Sequence, residues 1–419
     1  MEEKVANRWL IAGAGVVMQV ALGAVYAWSV FRKPLSQAYG TQVTEVNTAF
    51  TITIVALGIS AFFGGLWMQR VGPRKVALTS GVLYGAGIFL ASFAQSSIIL
   101  LYLTYGLIAG IGIGLGYIVP IATLIKWFPD KRGLITGVAV AGFGAGAVVT
   151  APIGTRLASA FGPFGAFAVL GVVYAVLVIG PAFLLRNPPD GYRPEGYNPE
   201  ADQQSEGTSA RQLDLRGALR TWQWFALWAL LFLNTTAGIG LLSEAAPIAQ
   251  EIGKTTAAVA ATVVVAFSVA NAIGRFFWAS LSDAVGRKWV FLAMFALQAV
   301  LFILLPLTGS VLLFAAVGCA IVLCYGGGFG TMPAFAADYF GSAKVGQIYG
   351  LMLTAWSAAG IAGPLIVATV KDSTGAYDGA FYIMAGVMLV SAVIPFIVRP
   401  PRHEPSAPAG GAEAAPAPS

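Results

Sequence analysis

The sequence predicts an all-α polytopic membrane protein, with twelve transmembrane helices in two six-helix halves. Three observations carry this. The chain is 58% hydrophobic and only 10% charged over 419 residues, with a mean hydropathy of +0.78, too apolar and charge-poor for a water-soluble fold. Apolar runs of about 20 residues, enough to cross a bilayer, recur from end to end. A short loop motif in the first half of the chain returns in the second, as expected of an internal repeat.

The N-terminal residues to Arg8 are few and carry Glu2 and Glu3. The run that follows lacks a small-residue cleavage pattern, so it reads as a retained helix and not as a signal peptide. Spans are expected at 8–31, 46–69, 75–95, 98–125, 133–160 and 164–186, making an N-terminal half of 1–186. Residues 187–221 open Asn187-Pro-Pro-Asp-Gly-Tyr192, are rich in Pro, Glu, Gln and Ser, and read as a polar linker. A second set at 222–243, 256–281, 288–307, 311–337, 345–370 and 376–398 makes a C-terminal half of 222–398. The tail, 399–419, has a Glu-Pro-Ala-Gly-Ser composition and is expected to be disordered.

Lys and Arg orient the chain. With the N-terminus inside, eighteen fall in loops on one side and five, namely Arg32, Lys33, Arg156, Lys254 and Lys371, on the other. The bias places both termini and the linker in the cytoplasm, in the cell (inner) membrane. The net charge of +6 is therefore read as topology and not as nucleic-acid binding. Cys319 and Cys324 share one apolar run and are read as packing residues.

The repeat rests on two pairs of loops. Gly65-Leu-Trp-Met-Gln-Arg-Val-Gly-Pro-Arg-Lys75 follows the second span, and Ala279-Ser-Leu-Ser-Asp-Ala-Val-Gly-Arg-Lys288 follows the eighth. Likewise Lys126-Trp-Phe-Pro-Asp-Lys-Arg-Gly133 is echoed by Asp338-Tyr-Phe-Gly-Ser-Ala-Lys-Val-Gly346. The positive-inside rule explains the basic residues but not the aligned Gly and aromatic ones.

One charge breaks the apolar pattern. Arg275 lies in the eighth span, where an Arg costs at least ~2.5–3.5 kcal/mol, so it must face protein or a water-filled cavity. Asn271 is one helical turn earlier on the same face. A guanidinium beside an amide is a holder for one carboxylate; the alternative is an anchor whose head snorkels to the interface.

These residues and loops resemble the major facilitator superfamily over nearly the whole chain. The loops at 65–75 and 279–288 are similar to that superfamily's Gly-x-x-x-Asp-Arg-x-Gly-Arg-Arg loop, with Gln69 where Asp is usual. Trp127-Phe-Pro-Asp-Lys-Arg-Gly-Leu-Ile-Thr-Gly-Val-Ala-Val-Ala-Gly142 is similar to a signature of monocarboxylate transporters, and Tyr26-Ala-Trp-Ser-Val-Phe31 to the first helix of the oxalate/formate antiporter branch. The resemblance implies that Arg275 binds a substrate carboxylate. It also implies ligand contacts at Tyr117, Tyr325 and Phe329. Tyr26 and Trp356 are aromatic candidates for the same cavity, interhelical packing being the alternative for each. Oxalate exchangers carry a second cation, a Lys, where Trp356 stands. A dianion facing one Arg would be left half compensated, which argues for a monoanion. Animal monocarboxylate transporters carry an Asp where Asn271 stands, and their helix-one Lys has no counterpart here. Both are linked to proton coupling.

The expected function is secondary active transport of small monocarboxylates such as lactate or pyruvate by alternating access, with proton coupling; anion exchange of the oxalate/formate type is the alternative. Protons and the lipid bilayer are the other expected partners, with no cofactor, no metal and no nucleic acid, and the protein is expected to be a monomer. Glu244, near the outer end of the seventh span, is a candidate for coupling. A membrane enzyme is disfavoured because the only His is His403, in the tail, and no paired carboxylates lie at depth.

Overall fold

A computed structural model describes residues 7–197, 212–254 and 256–400. The middle of the expected linker, 198–211, and the tail from 401, His403 included, lie outside the described residues.

Among the described residues eleven helices are long and apolar enough to cross a membrane. They are α1 (Arg8–Trp28), α2 (Glu45–Val71), α3 (Pro73–Ser96), α4 (Ile98–Trp127), a 51-residue run Arg132–Ala182, α7 (Trp222–Ser243), α8 (Thr262–Val285), α9 (Arg287–Leu307), α10 (Val311–Phe340), α11 (Val345–Lys371) and α12 (Asp378–Ile397). The long run is two spans, α5 and α6. Gly162 breaks it at φ 71°, ψ 169°, backbone angles open to Gly at no steric cost, and Pro163 then starts the next helix in the position that needs no N–H donor. The total is the expected twelve.

The membrane surroundings are legible from exposure. Within the spans many large apolar side chains are exposed, Leu312 79%, Phe63 58% and Phe161 65%, while Gln19, Asn234, Gln298 and Arg275 are wholly buried. In a bilayer this puts hydrocarbon against lipid and polar groups against protein.

The halves meet where α5 packs on α8 and α10, and where α2 packs on α11. The repeated loops occupy matching places: Gly72 and Gly286 both have positive φ, 79° and 95°, at the helix breaks between α2 and α3 and between α8 and α9. At the face carrying most basic loops the halves are tied by ions. Asp338 accepts from Arg132 Nη1 at 2.9 Å and from Arg287 Nε at 2.9 Å. Asp283, paired with Arg287, accepts from the backbone N–H groups of Gly133 and Leu134 at 2.9 and 2.7 Å. These are free donors of the first turn of α5, where helix-dipole and hydrogen-bond terms both favour a carboxylate. Gln69, in the equivalent place of the first half, donates to the Ala343 carbonyl at 3.2 Å, so an uncharged contact replaces the ionic one.

Removing one partner of a buried ion pair costs ~3–5 kcal/mol because the other charges stay buried. Asp338→Asn is therefore expected to lower the unfolding temperature of the detergent-solubilised protein and to raise labelling, by water-soluble thiol reagents, of a cysteine introduced at the basic face. An unchanged melting temperature and unchanged labelling would show that the network does not hold the halves together.

Candidate functional site

The site forms where six helices converge. Arg275 on α8 is 0% exposed. Its Nε donates to Asn271 Oδ1 at 3.1 Å, the contact implied by the one-turn spacing. Its Nη1 crosses to the other half and donates to the Val140 carbonyl on α5 at 3.2 Å. Among the described residues Nη2 has no well-aligned hydrogen-bond partner, and no carboxylate pairs with the guanidinium. The snorkelling alternative is thereby excluded: the head is enclosed at mid-helix, away from either interface.

Small residues bring α8 this close. A Cβ on Gly330 would overlap the Arg275 carbonyl, and one on Gly326 would press on Asn271. The Gly-rich stretch of α10 thus lets the two backbones touch, which is the general use of small residues between membrane helices.

Aromatic rings close the site. The Arg275 Cζ stands 5.1 Å from the Phe329 ring centroid and 5.7 Å from that of Phe143, both within cation–π range. Trp356 on α11 packs on Phe329 at 4.8 Å, Tyr117 at 5.7 Å, Phe143 at 5.9 Å and Tyr26 at 6.3 Å. Tyr325 packs edge-on against Phe329 at 5.4 Å. All seven residues singled out from the sequence, Arg275, Asn271, Tyr117, Tyr325, Phe329, Tyr26 and Trp356, are brought into one cluster. The phenols of Tyr26, Tyr117 and Tyr325 are neighbours of the guanidinium, and their hydroxyls, with the Trp356 indole N–H, have no well-aligned hydrogen-bond partner among the described residues.

Sequence reasoning missed three contributors. Phe143 sits at the centre of the ring cluster, facing Tyr26, Tyr117 and Trp356; its signal was its place as the lone aromatic in the stretch Gly142-Phe-Gly-Ala-Gly146. The Val140 carbonyl has no sequence signal. Tyr349 is fully buried, neighbours Tyr117 through its hydroxyl and lies two turns before Trp356. Trp28, two residues after Tyr26, packs elsewhere: it is 2% exposed, its ring lies tilted against Tyr105 with centroids 4.4 Å apart, and its indole donates to Asn47 Oδ1 at 3.2 Å.

Outside the spans, Glu244 follows α7. Burial raises its carboxyl above the ordinary value, and Arg32 from the other half acts to lower it.

One buried cation with phenol and indole donors around it and ring faces enclosing it is chemistry suited to a small anion of low charge.

The family profile described as Major Facilitator Superfamily matches residues 11–253 and 227–419, which together span almost the entire chain. The chain belongs to the major facilitator superfamily. Its members here are transporters, not enzymes. The facilitator chain is 28% identical to the oxalate:formate antiporter of Oxalobacter formigenes over 405 residues, covering 94% of this chain and 93% of that one. It is 25% identical to the apicoplast pyruvate carrier 1 of Toxoplasma gondii, covering 93% and 89%. A solved structure of the proton:xylose symporter XylE superposes with a TM-score of 0.75 at 14% identity, covering 93% of this chain and 95% of that chain; at that identity the likeness speaks for the fold alone. The superfamily fold accounts for the twelve helices and for the internal repeat.

Proposed function

We propose that this transporter carries small monocarboxylates of the lactate and pyruvate type by alternating access, with a proton as co-substrate. Arg275, Asn271, Tyr117, Tyr325, Phe329, Tyr26 and Trp356 form the substrate site, the basic face is cytoplasmic, and residues 187–221 link the halves in the inner membrane. The observation that carries the reading is the fully buried guanidinium of Arg275, which among the described residues has no carboxylate beside it and no well-aligned partner for Nη2. A single bound carboxylate neutralises it; a dianion leaves one charge over in a low-dielectric site. The printed names of the two relatives, a pyruvate carrier and an oxalate:formate antiporter, agree with a small carboxylate and frame the choice of charge.

Exchange of one anion for another is the second reading. Empty, the site holds an uncompensated buried cation, and crossing the occluded state in that form is costly. An occupied carrier crosses more easily, which favours exchange unless a proton travels too.

Counterflow of labelled lactate, pyruvate, formate and oxalate in proteoliposomes, with and without a pH gradient, is the test. Saturable uptake of lactate or pyruvate, accelerated by the same acid inside and driven by an inward proton gradient, is expected. Trans-stimulation without any effect of the gradient would establish exchange. Uptake that does not saturate, or that ignores the acid inside, would overturn a carrier mechanism.

A further inference from the structure

The phenol groups of Tyr117 and Tyr325 neighbour the guanidinium only if α4 and α10 are held at one rotation about their own axes. A helix packed by apolar contacts alone has no strong preference for that rotation, because dispersion contacts are non-directional. A buried hydrogen bond does, and in this protein the same device occurs in both halves. On α1, the fully buried Gln19 donates through Nε2 to the backbone carbonyl of Tyr117 at 3.3 Å. On α7, the fully buried Asn234 donates through Nδ2 to the backbone carbonyl of Tyr325 at 3.1 Å. Helices α1 and α7 open the two halves, and α4 and α10 are their respective fourth spans. Each amide thus takes hold of the carbonyl of the very residue whose hydroxyl faces Arg275. The second clamp is braced: Gln298 on α9, also fully buried, donates to Asn234 Oδ1 at 3.1 Å, which fixes the orientation of the Asn amide so that its NH2 points at Tyr325. Room for that amide exists because residue 328 is Gly, whose Cβ would overlap Asn234 Nδ2.

We propose that Gln19 and Asn234 are positioning residues for substrate, each acting through one tyrosine, and that Gln298 sets the second. The proposal rests on the carboxylate site described above. Neither amide is placed on the substrate itself. Packing alone would be satisfied by Met or Leu of similar volume, whereas a fixed carbonyl needs a donor. Because α1 and α4 belong to one half and α7 and α10 to the other, each tyrosine is tied to its own half and travels with it as the halves rock.

The test is a pair of double-mutant cycles on the full-length protein in proteoliposomes, with labelled pyruvate as the probe and half-saturation of counterflow as the readout. Gln19→Met is paired with Tyr117→Phe, and Asn234→Leu with Tyr325→Phe. Each amide variant is expected to weaken half-saturation about threefold to tenfold, the scale of one hydrogen bond. Each double variant is expected to be no weaker than its Tyr→Phe parent by more than about twofold, since an amide without the hydroxyl has nothing left to position. Gln19→Asn, Asn234→Gln and Gln298→Met supply further points: the first two keep a donor and are expected to recover part of the affinity. Gln298→Met is expected to act like Asn234→Leu, and only where Tyr325 is intact. If Tyr117→Phe weakens binding but Gln19→Met does not, or if the two effects multiply in full, the clamp is overturned and the site stands. If neither Tyr→Phe variant moves half-saturation, the site reading fails and takes the clamp with it. A fall in melting temperature with half-saturation unchanged would show a packing role only and would overturn the proposal. Should one amide variant not fold, the cycle in the other half decides it.

Discussion

Arg275→Lys is expected to abolish transport, by at least ~100-fold in uptake rate, while the protein still reaches the membrane and stays folded. The charge is kept, so the loss isolates geometry. Arg275 spends Nε on Asn271 and Nη1 on Val140 and has no well-aligned partner for Nη2 among the described residues, so the planar fork ties both halves and still offers an edge to a ligand. A Lys is a point charge on a flexible stem; it cannot hold the amide, the carbonyl and a carboxylate at fixed angles together. It also loses the flat face that rests 5.1 Å from the Phe329 ring. Uptake, surface expression and melting temperature measured together separate lost binding from lost folding. Wild-type uptake by the Lys variant would remove Arg275 from direct contact with substrate.

The second large effect concerns charge number. The protein is expected to prefer lactate or pyruvate over doubly ionised oxalate by at least ~1–2 kcal/mol, about tenfold in affinity. Trp356 supplies the lever. It is buried against Tyr26, Tyr117, Phe143 and Phe329, so a residue placed there faces the guanidinium's own ring cluster and not lipid. Trp356→Lys sets a second cation near Arg275. Empty, that variant holds two like charges in a dry site and should be less stable; a dianion neutralises both. Oxalate is therefore expected to raise its melting temperature more than lactate does, the reverse of the unsubstituted protein, as binding to the folded state alone requires. Competition against labelled lactate at a pH where oxalate is doubly ionised gives the affinities directly. Equal displacement by both acids in the unsubstituted protein would show that a single cation does not set the charge preference.

How much of this was legible beforehand divides along a physical line. Properties that depend on local composition and short spacing were readable. Span length is fixed by bilayer thickness, so the apolar runs gave the helices, and the break at Gly162–Pro163 separated two spans that are otherwise one continuous helix. The cost of charge at membrane depth marked Arg275, and the 3.6-residue period put Asn271 beside it, as the 3.1 Å contact bears out. The family resemblance carried the aromatic candidates. What only the tertiary structure decided are contacts made across long separations in the chain. The Val140 carbonyl that receives Arg275, Phe143 at the centre of the rings, and the Gln19 and Asn234 amides on the Tyr117 and Tyr325 carbonyls are of this kind. So is the gathering of Arg132, Asp283, Arg287 and Asp338 at the basic face. Most of these partners are backbone groups or side chains on other helices, and every residue carries a carbonyl. Sequence names the side chain that needs a partner because burial makes it expensive; only the packing of one helix against another names which partner it finds.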